Sequence, residues 1–172
     1  MIRKKKRFSR PKKAFEKVRI AEENTLLKKY ALKNKREVWK TKARVDYFRR
    51  RAKALAKSSP EEQNILFGKL KALSLKTDSI ADVLALKIED LFERRLPTVI
   101  FKKKLAATPK QARQMVVHKK VLIDNKIVDS PSYLVSLSEE NLISLRQKKA
   151  KPKPAAAESK SPAPKSQEQV KQ

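Results

Sequence analysis

The residues best equipped for chemistry lie between Lys102 and Lys120, and the chemistry is anion capture. Thr108-Pro109-Lys110-Gln111 carries the marks of a helix start: a capping Thr, a Pro in the first turn and a Gln in the capping-box position. Stepping about 100° per residue from Lys110 puts Gln111, Arg113, Gln114 and His118 on the same broad arc as Lys110. Ala112, Met115 and Val116 fall on the opposite arc, and Val117 intrudes on the polar one. Lys102-Lys103-Lys104 precedes this helix and Lys119-Lys120 follows it. Cations, amides and the N–H groups of a helix start thus converge on one surface, which suits phosphate. Arg113 can grip phosphate with two prongs, where a Lys acts as a point charge.

No catalytic constellation accompanies this surface. The chain has one His, His118, and it ends a basic helix. Carboxylate pairs such as Glu61-Glu62 and Glu89-Asp90 sit at helix starts, where the helix dipole accounts for them. Cys is absent, so disulfides and thiolate metal sites are excluded, and a lone His rules out a multi-His centre. One Gly in 172 residues excludes Gly-rich phosphate loops. No cofactor and no metal are expected. No apolar run approaches the roughly 18 residues of a membrane span, and Met1–Arg7 is not followed by the apolar stretch of a secretory signal.

The partner class follows from charge. The 45 Lys and Arg against 18 Asp and Glu give a net charge of +27. Residues 1–57 hold 23 basic and 5 acidic residues, net +18, whereas residues 58–93 hold 4 and 7, net −3. A chain this basic repels itself when compact, and nucleic acid is the polyanion that gains most by neutralising it.

The elements that position the basic groups are mostly helical. Residues 1–13, including Arg3, Lys4, Lys5, Lys6 and Arg7, read as an extended arm that orders on a polyanion. Helical spacing begins at Ala14 and stops near Asn34, a candidate left-handed residue. A second helix spans Lys35–Lys57 and carries Arg49, Arg50 and Arg51. Ser59-Pro60-Glu61-Glu62 is a strong start signal and Ser79-Ile80-Ala81-Asp82 a weaker one. A short helix follows over Ile88–Arg95, with a break at Leu96 ahead of Pro97. Past His118 the period becomes two: Val121–Ile123, a turn at Asp124-Asn125-Lys126, then Ile127-Val128. Tyr133–Leu137 is expected as a third strand. Leu105, Ala112, Met115, Val116, Val121, Ile123 and Val135 form the expected core beneath these elements. Lys148–Gln172 has the Lys/Pro/Ala/Ser composition of a disordered tail.

These segments resemble a known family. Glu93–Val99, Leu105–His118 and Ser130–Val135 closely resemble the RNA-binding domain named after ribosomal protein S-four. Leu26–Trp39, with its Tyr-x-Leu-Lys-Asn-Lys-Arg-Glu-x-Trp run, and Leu84–Leu91 resemble the archaeal branch of the ribosomal-protein family from which that domain takes its name. The resemblance covers roughly residues 8–145. It implies an α+β chain: a helical part (14–93), a domain of two helices and a small antiparallel sheet (94–147), and basic termini (1–13 and 148–172). It also implies direct binding of small-subunit rRNA early in assembly, a part in translational accuracy, and contact with neighbouring ribosomal proteins including the S-five family protein, in the cytoplasmic ribosome. The alternative is a free-standing RNA-binding module. Three departures stand out. Lys119 stands where the family usually has a Gly, Asn125-Lys126 stands where it usually has Asn-Gly, both at positions that favour positive φ, and the Cys cluster of the bacterial branch is missing.

The expected RNA-binding set is Arg94, Arg95, Lys103, Lys104, Lys110, Arg113, Gln114, His118, Lys119 and Lys120, with the arm residues Arg3–Arg7 and with Arg49, Arg50 and Arg51. Arg113, on the polar arc, is expected to be dispensable for folding.

Overall fold

The computed structural model describes residues 8–146, so the expectations for Arg3–Arg7 and for the tail over 148–172 lie outside the described residues. The helical part begins with α1 (Lys17–Lys29) and α2 (Lys35–Leu55). Lys28 and Lys29 close the last turn of α1, where cations favour the dipole. The left-handed residue after it is Ala31, at φ 50°, and Asn34 instead opens α2. The first helix is therefore shorter at both ends than its spacing predicts.

The two start signals invert their expected strengths. α3 (Pro60–Ala72) begins at Pro60, but the Ser59 hydroxyl makes no capping bond. Gln63 closes that corner, donating to the Leu55 and Ser58 carbonyls at 3.0 and 3.1 Å. At α4 (Ile80–Ala85), Ser79 and Asp82 form a complete capping box. α5 (Ile88–Glu93) then leads into α6 (Leu96–Lys102), which has Pro97 in its first turn. Val45, Ala52, Leu66, Leu70, Val83 and Leu91 form the core of this part. A smaller cluster joins Tyr30, Val38 and Phe92, whose Tyr30 and Phe92 rings stack at 5.1 Å.

The second core lies under α6, α7 (Pro109–Val117) and a three-stranded antiparallel sheet. Leu96, Val99, Ile100, Ala112, Val116, Val121, Ile123 and Val135 are buried there, each contributing on the order of 1–3 kcal/mol for the larger side chains. Leu105 and Met115 pack against this core from its edge and are only half-buried, a correction to their expected depth. The sheet order is β2 (Lys126–Ile127), β1 (Val121–Ile123), β3 (Ile143–Leu145). Ile123 pairs with Lys126 and with Ile143.

The third strand is not at Tyr133–Leu137. Leu134 makes a single bridge to Arg95, with Leu96 N–H on the Tyr133 carbonyl and Val135 N–H on the Arg94 carbonyl, both 2.9 Å. A capping box of Ser136 and Glu139 then starts α8 (Leu137–Glu140) and turns the chain away before it can extend. The β1–β2 turn is one residue shorter than expected. Asp124 (φ 49°) and Asn125 (φ 60°) take both positive-φ positions, as a tight type I′ hairpin requires, and Lys126 is in the ladder. Lys119 does adopt positive φ, at 57°.

Candidate nucleic-acid interface

Thr108 holds the start of α7 as its sequence implies: its hydroxyl accepts from the Gln111 N–H at 3.2 Å. The Gln111 side chain reaches one residue further back than a capping box does, accepting from Ala107 N–H at 3.0 Å. This fixes the helix so that Ala112 and Val116 are buried while Lys110, Gln114 and His118 are exposed. Val117, the apolar intruder on the polar arc, is exposed as well. At the far end His118 closes α7, and the left-handed Lys119 turns the chain so that Lys119 and Lys120 point into solvent beside it. Lys104 is also exposed. Lys119 has one distant acid, Asp129 at 4.0 Å. Among the described residues, none of Lys104, Lys110 and Lys120 has an ion-pair partner. The result is an exposed cationic set in which, among the described residues, only Asp129 comes within ion-pair range of these lysines.

The arginines behave differently, and here the expected set needs correction. Arg113 is not a free prong. Its guanidinium grips Glu37 of α2 with both ends, at 2.7 and 3.1 Å, and its side chain is only 19% exposed. The cause is geometric: Arg113 lies about 60° from Val116 on the helix circumference, so its stem runs along the apolar border and its head reaches across to α2. Arg95 is buried, donating to the same Glu37 carboxylate at 2.7 Å, to Ser132 Oγ and to the Pro131 carbonyl, both 3.2 Å. Its guanidinium also lies 5.6 Å from the Phe92 ring centre. Arg94 pairs with Glu140 at 2.8 Å and with the Val135 carbonyl at 3.0 Å. Lys103 donates to the Glu140 carbonyl. Arg94, Arg95 and Arg113 therefore hold the domain together and tie it to α2.

Glu37 is the residue that sequence reasoning missed. Burial pushes its carboxyl up, but the hydrogen bonds from Arg113 and Arg95 and their charge outweigh this and hold it below the ordinary carboxylate range. Arg95 shows the reverse balance: burial lowers its proton affinity and Glu37 offsets part of that. The available signal was scarcity. With five acids among 23 bases in residues 1–57, an acid there has partners to choose from. Glu23 is the second case, buried and accepting from Arg19 and from Trp39 Nε1, each at 2.8 Å.

On α2, Arg49 is half-buried and donates to the Leu86 carbonyl at 2.7 Å, whereas Arg50 and Arg51 are exposed. Among the described residues no group of three acidic, His or Cys side chains could hold a metal, and no helix is long and apolar enough to cross a membrane.

Residues 94–141 match the S4 domain. The small ribosomal subunit protein uS4 of Methanococcus aeolicus is 45% identical over 133 residues, 73% of this chain and 75% of that protein. The protein of the same name from Saccharolobus islandicus is 41% identical over 145 residues, 80% of each. Identity of this extent spans both the helical part and the domain that follows it, and the chain belongs to the uS4 family of small ribosomal subunit proteins.

Proposed function

We propose that this chain is a structural constituent of the small ribosomal subunit that binds small-subunit rRNA directly. The observation that carries this is the exposure of Lys104, Lys110, Gln114, His118, Lys119 and Lys120 on a domain of the S4 type, with Lys104, Lys110 and Lys120 outside any ion pair among the described residues. Duplex RNA hides its base edges in a deep, narrow groove, so a lysine surface of this kind serves phosphate and sugar contacts in a folded junction. The paired arginines supply the rigidity that such recognition needs, since phosphate contacts position only if the groups making them are fixed. Arg50, Arg51 and the arm residues Arg3–Arg7 extend the RNA contact on the helical side.

Membership of the uS4 family supports further parts of this reading: early binding during assembly of the subunit body, contact with a neighbouring protein of the S-five family, an influence on accuracy, and residence in the cytoplasmic ribosome. No catalytic step is assigned to any residue. The test is sedimentation. The full chain should travel with small subunits through a high-salt wash that strips loosely held polycations. Recovery of the chain at the top of the gradient, with intact subunits below, would favour a free-standing RNA-binding module instead.

A further inference from the structure

α2 carries a second feature that the lysine surface does not explain. Taking Lys40 as the origin, Arg44, Tyr47 and Arg51 fall within about 40° of it on the helix circumference, a single stripe running along the helix. Tyr47 sits in the middle of that stripe with half its surface exposed. Beside it the small side chain of Ala43 leaves room for a cavity of about 950 Å³, walled by the rings of Phe8, Tyr47 and Phe48 and rimmed by Lys40, Arg44 and Arg50. The Tyr47 and Phe48 rings stand 5.8 Å apart at 60°, and the Lys40 ammonium lies 5.8 Å from the Phe8 ring centre. The space continues past Phe8 toward Lys53 as a second open cavity of about 730 Å³. Of the acids near the stripe, Glu37 is consumed by Arg95 and Arg113. Asp46 lines the second cavity but not the first.

A solvated basic face would account for the cations, but not for a Tyr47 ring left half in water beside a cleft that Phe8 and Phe48 also line. Aromatic faces interleaved with cations are the composition that receives unpaired bases: the base stacks on a ring and the phosphate meets the charge. We propose that this cleft on α2 receives an unpaired rRNA nucleotide, its base stacked on Tyr47 and its phosphate held by Lys40, Arg44 and Arg50. The proposal rests on the rRNA-binding reading above and adds to it a site outside the S4-type domain. The two surfaces then divide the work, with the lysines around α7 meeting phosphates of folded duplex and α2 holding a single-stranded element.

The experiment compares the full-length chain with its Tyr47→Ala and Tyr47→Phe variants on three probes: a small-subunit rRNA transcript, a short oligoadenylate, and an RNA duplex of the same length as the oligoadenylate. Tyr47→Ala should weaken oligoadenylate binding by roughly tenfold to a hundredfold, the range of base–aromatic stacking. It should leave duplex binding and the melting temperature unchanged, because Tyr47 lies outside the buried core. Tyr47→Phe, which keeps the ring, should bind like the parent. Equal loss on oligoadenylate and duplex, or no loss on either, would overturn the stacking site. So would a parent chain that holds the transcript but not the oligoadenylate. Failure of the parent chain to hold the transcript itself would overturn the rRNA-binding reading instead. Competition by a polyglutamate peptide that depends on the Tyr47 ring would assign the cleft to an acidic protein partner and equally overturn the proposal.

Discussion

Glu37 on α2 and Arg113 on α7 form a two-pronged ion pair across the boundary between the helical part and the S4-type domain, and Arg95 closes on the same carboxylate from the other side. All three side chains are less than one-fifth exposed. Removing Glu37 leaves two largely buried guanidiniums without their carboxylate, which is costly even where the pairs themselves are close to neutral, whereas removing Arg113 still leaves Glu37 paired with Arg95.

Glu37→Gln should therefore destabilise the chain by about 3 kcal/mol, the low end for a broken buried pair, and Arg113→Ala should destabilise it by less, since Arg95 still holds the carboxylate. This reverses the expectation from the helical arc, on which Arg113 is dispensable for folding. Urea unfolding followed by circular dichroism measures it. Midpoints unchanged for both variants would show that the pair carries no load.

The same carboxylate sets an acid limit. Its folded pKa lies below its ordinary value of about 4.5, so the unfolded chain takes up the proton more readily. The contribution is complete above that value and is lost as pH falls through the lowered folded pKa. Glu139, lowered chiefly by the Tyr133 hydroxyl it accepts from, adds a second contribution of the same sign. Glu37→Gln should flatten the acid side of a stability–pH profile while leaving its neutral side parallel to the parent's. A profile unchanged in shape would contradict the assignment.

Core depth separates two neighbours on α7. Val116 is fully buried and Met115 only partly so. Val116→Asp should cost about 4 kcal/mol or more and leave the domain unfolded, since a buried unpaired charge is among the few single changes of that size. Met115→Asp should be milder, because its carboxylate can turn to water. Equal melting of the two variants would undo the distinction.

How much of this was legible in the sequence depends on how local the cause is. The caps at Thr108 and Ser79, the Pro97 break and the β1 strand are written in a few adjacent residues, and the structure has them. The buried face of α7 follows from periodicity alone. What failed was decided by a competing local signal or by distant partners. Tyr133–Leu137 has strand-like residues, but Ser136 and Glu139 offer a helix start, and β1 already has Ile143–Leu145 on its free edge. Arg113 looks like a phosphate prong until α2 brings Glu37 to it. The exposure of Lys104, Lys110, Lys119 and Lys120 could be read because exposure needs no partner; the places of Arg94, Arg95, Arg113 and Lys103 could not, because each has a partner distant in sequence.

Lys119 separates stability from binding. Its backbone is left-handed, which costs a residue with a Cβ roughly 1 kcal/mol or more, while a Gly there loses part of the gain to unfolded-state freedom. Lys119→Gly should raise stability by about 0.5 kcal/mol and lower rRNA affinity through the lost charge. A variant that gains stability and keeps full affinity at moderate salt would remove Lys119 from the interface.

On the proposed function, the exposed lysines around α7, and not the paired arginines, are expected to meet the RNA phosphates. The most direct measurement is the salt dependence of binding to a small-subunit rRNA transcript, for the parent chain and for a variant carrying Lys110→Gln, Lys119→Gln and Lys120→Gln. Each phosphate contact contributes a little under one unit to the slope of log affinity against log salt, so the slope should fall by about 2–3 in the variant while its melting temperature stays at the parent's. An unchanged slope with unchanged affinity would contradict the account and place the RNA surface elsewhere on the molecule.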